Sequence, residues 1–248
     1  MNNAIINKEW QKLKLYVWSL FFIVICNLCY FWFNLNHSFA SIEPESMMWY
    51  QFSNLRHKPY FNFVYLFITI GSVVSFAQFL PEIIRNRIKI MIHLPCKLSH
   101  IIFRHLLIGA LFVLLLSFIL SIGLIIIVSS YYPDNIVFII GKDVLFYTFL
   151  SLSAYILLTS VILENKNIIK LLKFVFLLAF LMCLTKKEYY AQDLIWFIIL
   201  LFIPFVVLDS FYSIKKQRLD SIVFKIFTVI IVIFLSIIFM IYIKKIIK

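Results

Sequence analysis

Five stretches of this chain carry no charged side chain over a length that can cross a lipid bilayer: residues 15–33, 61–80, 106–130, 144–163 and 226–243. A helix rises 1.5 Å per residue, so about 20 apolar residues span a hydrocarbon core of roughly 30 Å. In that medium backbone amides find no water and must bond within their own segment or inside a closed barrel. The runs are continuous rather than alternating, which predicts helices. Composition agrees: 64% of the side chains are hydrophobic and 14% charged, against about 45–50% and 25% in soluble domains. No polar stretch is long enough to build a second folding unit. Residues 1–248 therefore read as a single, all-α, polytopic transmembrane bundle.

Two further segments are weaker. Residues 174–185 are uncharged but few, and reach spanning length only from about residue 168, with Lys170 and Lys173 snorkelling to the interface. Residues 194–212 contain Pro204 and read either as a span or as a re-entrant hairpin. Seven spans are preferred, over 15–33, 61–80, 106–130, 144–163, 168–185, 194–212 and 226–243. Six spans plus a re-entrant segment is the alternative. With the N-terminus inside, seven spans put 15 of the 23 Lys and Arg on the cytoplasmic side, and the six-span version, which exchanges four of them for three others, puts 14 there. The positive-inside rule therefore orients the N-terminal half and leaves the last third open.

The formal charge of +12 does not point to nucleic acid. The cations sit in short connections between apolar runs, and no solvated basic domain exists to carry such binding. Membrane lipid is the expected surrounding. Of the four cysteines, Cys26 and Cys29 lie one turn apart in the first run, and Met47 and Met48 follow in the next polar segment. Soft sulfur ligands suit Cu(I), but a two-thiol pair is also ordinary small-residue packing, so these four are weak metal candidates and no metal site is assigned.

Signatures of catalysis are missing. Gly141-Lys142 is followed by Asp143, and Ile136 stands where a P-loop would need its first glycine. Neither H-E-x-x-H nor G-x-S-x-G occurs. The long apolar runs hold no intramembrane acid pair of the kind that marks a proton relay. The chain reads as no enzyme and holds no cofactor of its own. The serines and threonines of the fourth run, Thr148, Ser151, Ser153 and Thr159, are spaced to lie on a helix–helix seam.

The connection between the second and third runs is long and basic, with Arg85, Arg87, Lys89, Lys97 and Arg104 against Glu82. Pro81 suits a first helical position and Glu82 the positive end of a helix dipole. Ile84, Ile88 and Met91 share one stripe, Arg85 and Lys89 another, and Leu94-Pro95 closes the segment. The spacing predicts an amphipathic helix over about 81–95 on the cytoplasmic surface.

That layout resembles the permease subunits of ATP-binding-cassette exporters of the second type. The likeness covers residues 15–163. In that family the connection between spans two and three carries a coupling helix seated in a cleft of a separate ATPase. The resemblance implies that Glu82, Arg85, Arg87, Lys89, His93, Leu94 and Pro95 form the ATPase-coupling segment. It also implies two copies of an ATPase subunit that bind ATP and Mg, and a second identical or homologous permease. The implied location is the bacterial inner membrane, multi-pass, with a cytoplasmic N-terminus. The family usually has six spans, one fewer than preferred here. A non-transporting polytopic scaffold or assembly subunit is the other reading of the same pattern. The cargo is not legible: the apolar, aromatic runs favour a lipid-like, peptide or hydrophobic substrate, and copper-linked export stays open.

Overall fold

The computed structural model describes residues 2–41, 49–50, 58–84, 98–164 and 167–185. Five long helices run through the described residues: α1 (Asn2–Ser41), α2 (Phe63–Ile84), α3 (Leu98–Ser129), α4 (Asp134–Leu163) and α5 (Asn167–Thr185). There is no strand among the described residues. Four segments, Asn7–Ser41, Phe63–Ile84, Phe103–Ser129 and Asp134–Leu163, are long and apolar enough to cross a membrane. The described residues are thus all-helical in architecture, and the protein is a multi-pass membrane protein. The expected spans 194–212 and 226–243 lie outside the described residues.

The helices outrun the charge-free stretches that announce them, and the reason is periodicity. On α1 the buried positions are Glu9, Leu13, Val17, Leu20, Val24, Phe31 and Leu35, a stripe recurring every three, four or seven residues. That stripe reaches Leu35, two residues past Phe33, where the apolar run stops, and Ser38 and Phe39 beyond it are half-buried. Past it, polar side chains turn back onto their own helix: the Ser38 hydroxyl donates to the Asn34 carbonyl at 2.8 Å. The 40-residue helix is about 60 Å long. Likewise α4 starts ten residues before its uncharged stretch, because Ile136, Ile140, Val144 and Tyr147 continue one buried stripe. Tyr131-Tyr132-Pro133-Asp134 forms the predicted turn: the Pro133 carbonyl accepts from the Ile136 amide at 2.9 Å, and Asp134 places an acid in the first turn.

Two compact units emerge, Met1–Ala77 with Ile108–Tyr155, and Gln78–Leu107 with Ile156–Lys248. In the first, α2 and α4 make the closest approach. A side chain on Gly71 would run into the Ser151 carbonyl oxygen and come within 3.0 Å of the Tyr155 amide nitrogen. Around this contact Thr148, Ser151 and Ser153 are buried, as their spacing predicts for a seam. Small residues at membrane-helix contacts let backbones meet, since lipid offers no hydrophobic gain from helix association. Aromatic pairs then tie the helices along their length. Trp10 stacks on Phe112 at 5.5 Å, Phe31 meets Phe63 edge-on at 5.1 Å, and Phe39 lies against both Tyr131 and Tyr132. The Trp49 indole donates to the Tyr131 carbonyl at 3.4 Å. Burial pushes the Tyr132 phenol above its ordinary pKa.

In the second unit two polar contacts dominate. Gln78 Nε2 donates to the His105 carbonyl at 2.7 Å, joining α2 to α3. Lys173 Nζ lies 2.5 Å from Glu164 Oε2, joining α5 to the residue that follows α4. The expectation that Lys173 snorkels is therefore corrected: its side chain is buried against a buried acid, while Lys170 is exposed.

Gly71→Ala should destabilise the protein by about 1–3 kcal/mol, because the obstructing atoms are backbone. At Gly123 a Cβ would meet only the Leu28 side chain, nearest at 2.5 Å. That side chain can rotate at a cost of roughly 0.5–1.5 kcal/mol, and alanine returns about 1 kcal/mol of helix propensity. Gly123→Ala should therefore be near neutral. Melting temperatures of the two variants in detergent check the contrast. The raised Tyr132 pKa means folded protein holds that proton more tightly than unfolded chain. The associated stability is present below about pH 10 and is lost as pH rises through the folded value. Tyr132→Phe should flatten the alkaline limb of a stability–pH profile.

Candidate functional site

The segment singled out by sequence lies between α2 and α3. The structure changes its start. Pro81 is inside α2 rather than at the first position of a new helix. A proline within a membrane helix is tolerated where neighbouring groups satisfy the backbone it frees. Glu82 consequently sits along a continuing helix, and it is buried rather than displayed at a helix N-terminus. Gly71, Ser75, Gln78 and Glu82 recur at steps of four, three and four residues, which aligns them on one stripe of α2, and Ser75, Gln78 and Glu82 are all buried. Arg85, Arg87, Lys89, His93, Leu94 and Pro95 lie outside the described residues.

What the structure does give is the frame of that segment. The Gln78 amide reaches the carbonyl of His105, 27 residues further on. The His105 side chain is itself buried, whereas its neighbour Arg104 is exposed on α3. A hydrogen bond thus ties α2 to α3 on either side of the basic connection.

Cys26 and Cys29 are free and exposed on α1, and Met47 and Met48 lie outside the described residues. Among the described residues no group of three or more His, Cys, Asp or Glu is placed to hold a metal ion.

Sequence reasoning missed three charged sites. Glu9 is fully buried on α1, with Lys12 Nζ 2.6 Å from its carboxylate. Asp143 on α4 is paired with Lys58, and it accepts a hydrogen bond from the Tyr60 hydroxyl at 2.6 Å. The Glu164–Lys173 pair is the third. All three fall just outside the uncharged runs: Glu9, Lys58 and Asp143 precede a run, Glu164 follows one, and Lys173 sits in the charged start of the weak segment 168–185. The signal that reaches them is the four-residue spacing: Glu9 to Leu13, and Ile140 to Val144 beside Asp143.

No known family matches this chain, and no curated protein or solved structure proved similar to it.

Gln78→Met keeps the volume and removes the donor. It should cost about 0.5–1.5 kcal/mol, and it should raise protease cleavage of the connection relative to the turn at residues 130–133. Asp143→Asn leaves Lys58 without its counter-charge and should cost about 1–3 kcal/mol, with partial recovery when Lys58→Met is added. Both readings come from thermal melts of the purified protein.

Proposed function

We propose that this protein is the membrane-spanning permease subunit of an ATP-binding-cassette exporter of the second type. The observation that carries the reading is the Gln78–His105 bond, which braces the feet of the basic connection. A segment that receives a mechanical stroke must pass it to the spans rather than dissipate it in a slack loop. A direct bond between α2 and α3 meets that need. The chain has no phosphate-binding loop. Energy then enters from a separate ATPase that binds ATP and Mg, present in two copies, with a second permease copy completing the path.

In this reading Arg85, Arg87 and Lys89 face the ATPase, His93, Leu94 and Pro95 end the docking segment, and the N-terminus is cytoplasmic in a bacterial inner membrane. The buried Glu82 takes a different part from the one its sequence position suggests. It belongs to the α2 stripe that packs inward, not to the docking face. Coupling needs a contact that binds the two ATPase states with different affinity, since equal affinity shifts no equilibrium. Seven crossings remain the preferred course of the chain.

The test is co-purification. The tagged permease should bring down a cassette ATPase. Replacing Arg85, Arg87 and Lys89 together with Glu should lower the amount retained by on the order of tenfold or more, since like charges replace attractive ones across the contact. Membrane insertion should be unchanged. If no ATPase accompanies the intact protein, or the triple variant retains it normally with normal turnover, the proposal is wrong.

A further inference from the structure

We infer that the Glu164–Lys173 pair lets α5 enter the membrane, so that these two residues set the course of the chain beyond α4. The argument begins with length. α5 has 19 residues, which at 1.5 Å each is about the thickness of the hydrocarbon core, with nothing to spare. Lys173 is its seventh residue. A lysine at that depth ordinarily bends its stem along the helix surface and lifts its ammonium to the headgroups.

Here the geometry forbids that. Among the described side chains of α5, Phe176, Leu177 and Leu181 are the buried apolar ones, and Lys173 lies on the same stripe, three, four and eight residues before them. The opposite surface, with Ile168, Leu171, Phe174 and Val175, is exposed and apolar, as a lipid-facing surface should be. The ammonium therefore points to protein and needs its counter-charge there.

Glu164 supplies it. It is the residue immediately after α4, and its amide bonds the Val161 carbonyl at 3.3 Å, a tight turn that ends the helix. That turn holds the carboxylate at the mouth of the short connector, 2.5 Å from Lys173, with both side chains almost fully buried. The pair lies nine residues apart in sequence, so it can form while α5 is being made. A charge brought into the membrane already neutralised costs far less than a bare one. This inference concerns α5 alone and stands or falls apart from the transport reading.

The experiment uses the full chain with its four cysteines replaced by serine and with Glu188→Cys beyond α5. A membrane-impermeant maleimide is applied to intact and to permeabilised cells, so that the readout is a change of side whichever way the chain faces. In the otherwise unaltered chain, position 188 should label on the side opposite to residue 165. Glu164→Gln should lower the ratio of crossed to uncrossed chains by on the order of tenfold. Combining Glu164→Lys with Lys173→Glu should restore it. Lys173→Leu loses the pair but also removes the charge from α5, so it should label like the parent. The inference is overturned if Glu164→Gln leaves the side unchanged, if the charge swap fails to restore it, or if Lys173→Leu misplaces the site as Glu164→Gln does.

Discussion

At Gly71 the backbone of α2 meets the backbone of α4, with the Ser151 carbonyl where a side chain would be. The rest of the first unit is arranged by that contact. Two membrane helices gain little hydrophobic energy by touching, because the lipid they displace is as apolar as they are. What holds them is the sum of many short-range attractions, which fall off within an ångström of separation. A glycine opposite a run of small, buried residues brings the two main chains close enough for that sum to matter. With α2 and α4 placed so, Phe67 falls beside Tyr147 at 5.8 Å, and Asp143 falls within reach of Lys58 and Tyr60.

The polar groups divide into two kinds by their sequence separation. Lys58–Asp143 and Gln78–His105 join distant parts of the chain, the first from just before α2 to the tenth residue of α4, the second from α2 to α3. They fix register, because a one-turn slip of either helix would leave a buried donor or a half-buried charge without its partner. Glu9–Lys12 and Glu164–Lys173 are local. They neutralise charges that their own helices carry into buried surroundings.

How far the sequence made this legible depends on which signal is used. Uncharged length was enough to find α2, α3 and α4 as spans and the core of α1, and the Tyr131–Asp134 turn followed from its proline. It could not find helix ends. Those are set by stripes such as Phe31–Leu35 or Ile136–Ile140, which carry on through polar neighbours that turn outward or bond back to the helix. The same blindness put Glu82 on a new helix, since a proline was read as a beginning where the membrane environment lets it stand inside. It also misplaced Lys173. Its neighbours in sequence are leucine and phenylalanine either way, and only the three-dimensional fold shows that it shares the inward stripe with Phe176, Leu177 and Leu181. Of the residues proposed to couple to an ATPase, only Glu82 lies among the described ones; the reading of the others rests on charge pattern, and the structure adds the Gln78–His105 bond between α2 and α3.

The two kinds of polar contact imply an order of assembly. A local pair such as Glu164–Lys173 can close as soon as its few residues exist, before any helix has found its neighbour, because the loop to be closed is short. The long-range pairs require both partners to be inserted and brought side by side, and membrane helices form individually before they associate. Charges that would obstruct insertion are thus handled first and by near neighbours. Charges that specify packing are handled later and from a distance. The exposures agree with this division: Glu164 and Lys173 are almost completely enclosed, whereas Lys58 keeps 31% of its side chain open. A pair formed late, at the rim of an already inserted bundle, has no need to be dry, and its lysine can stay partly in water while its carboxylate partner takes a second bond from Tyr60.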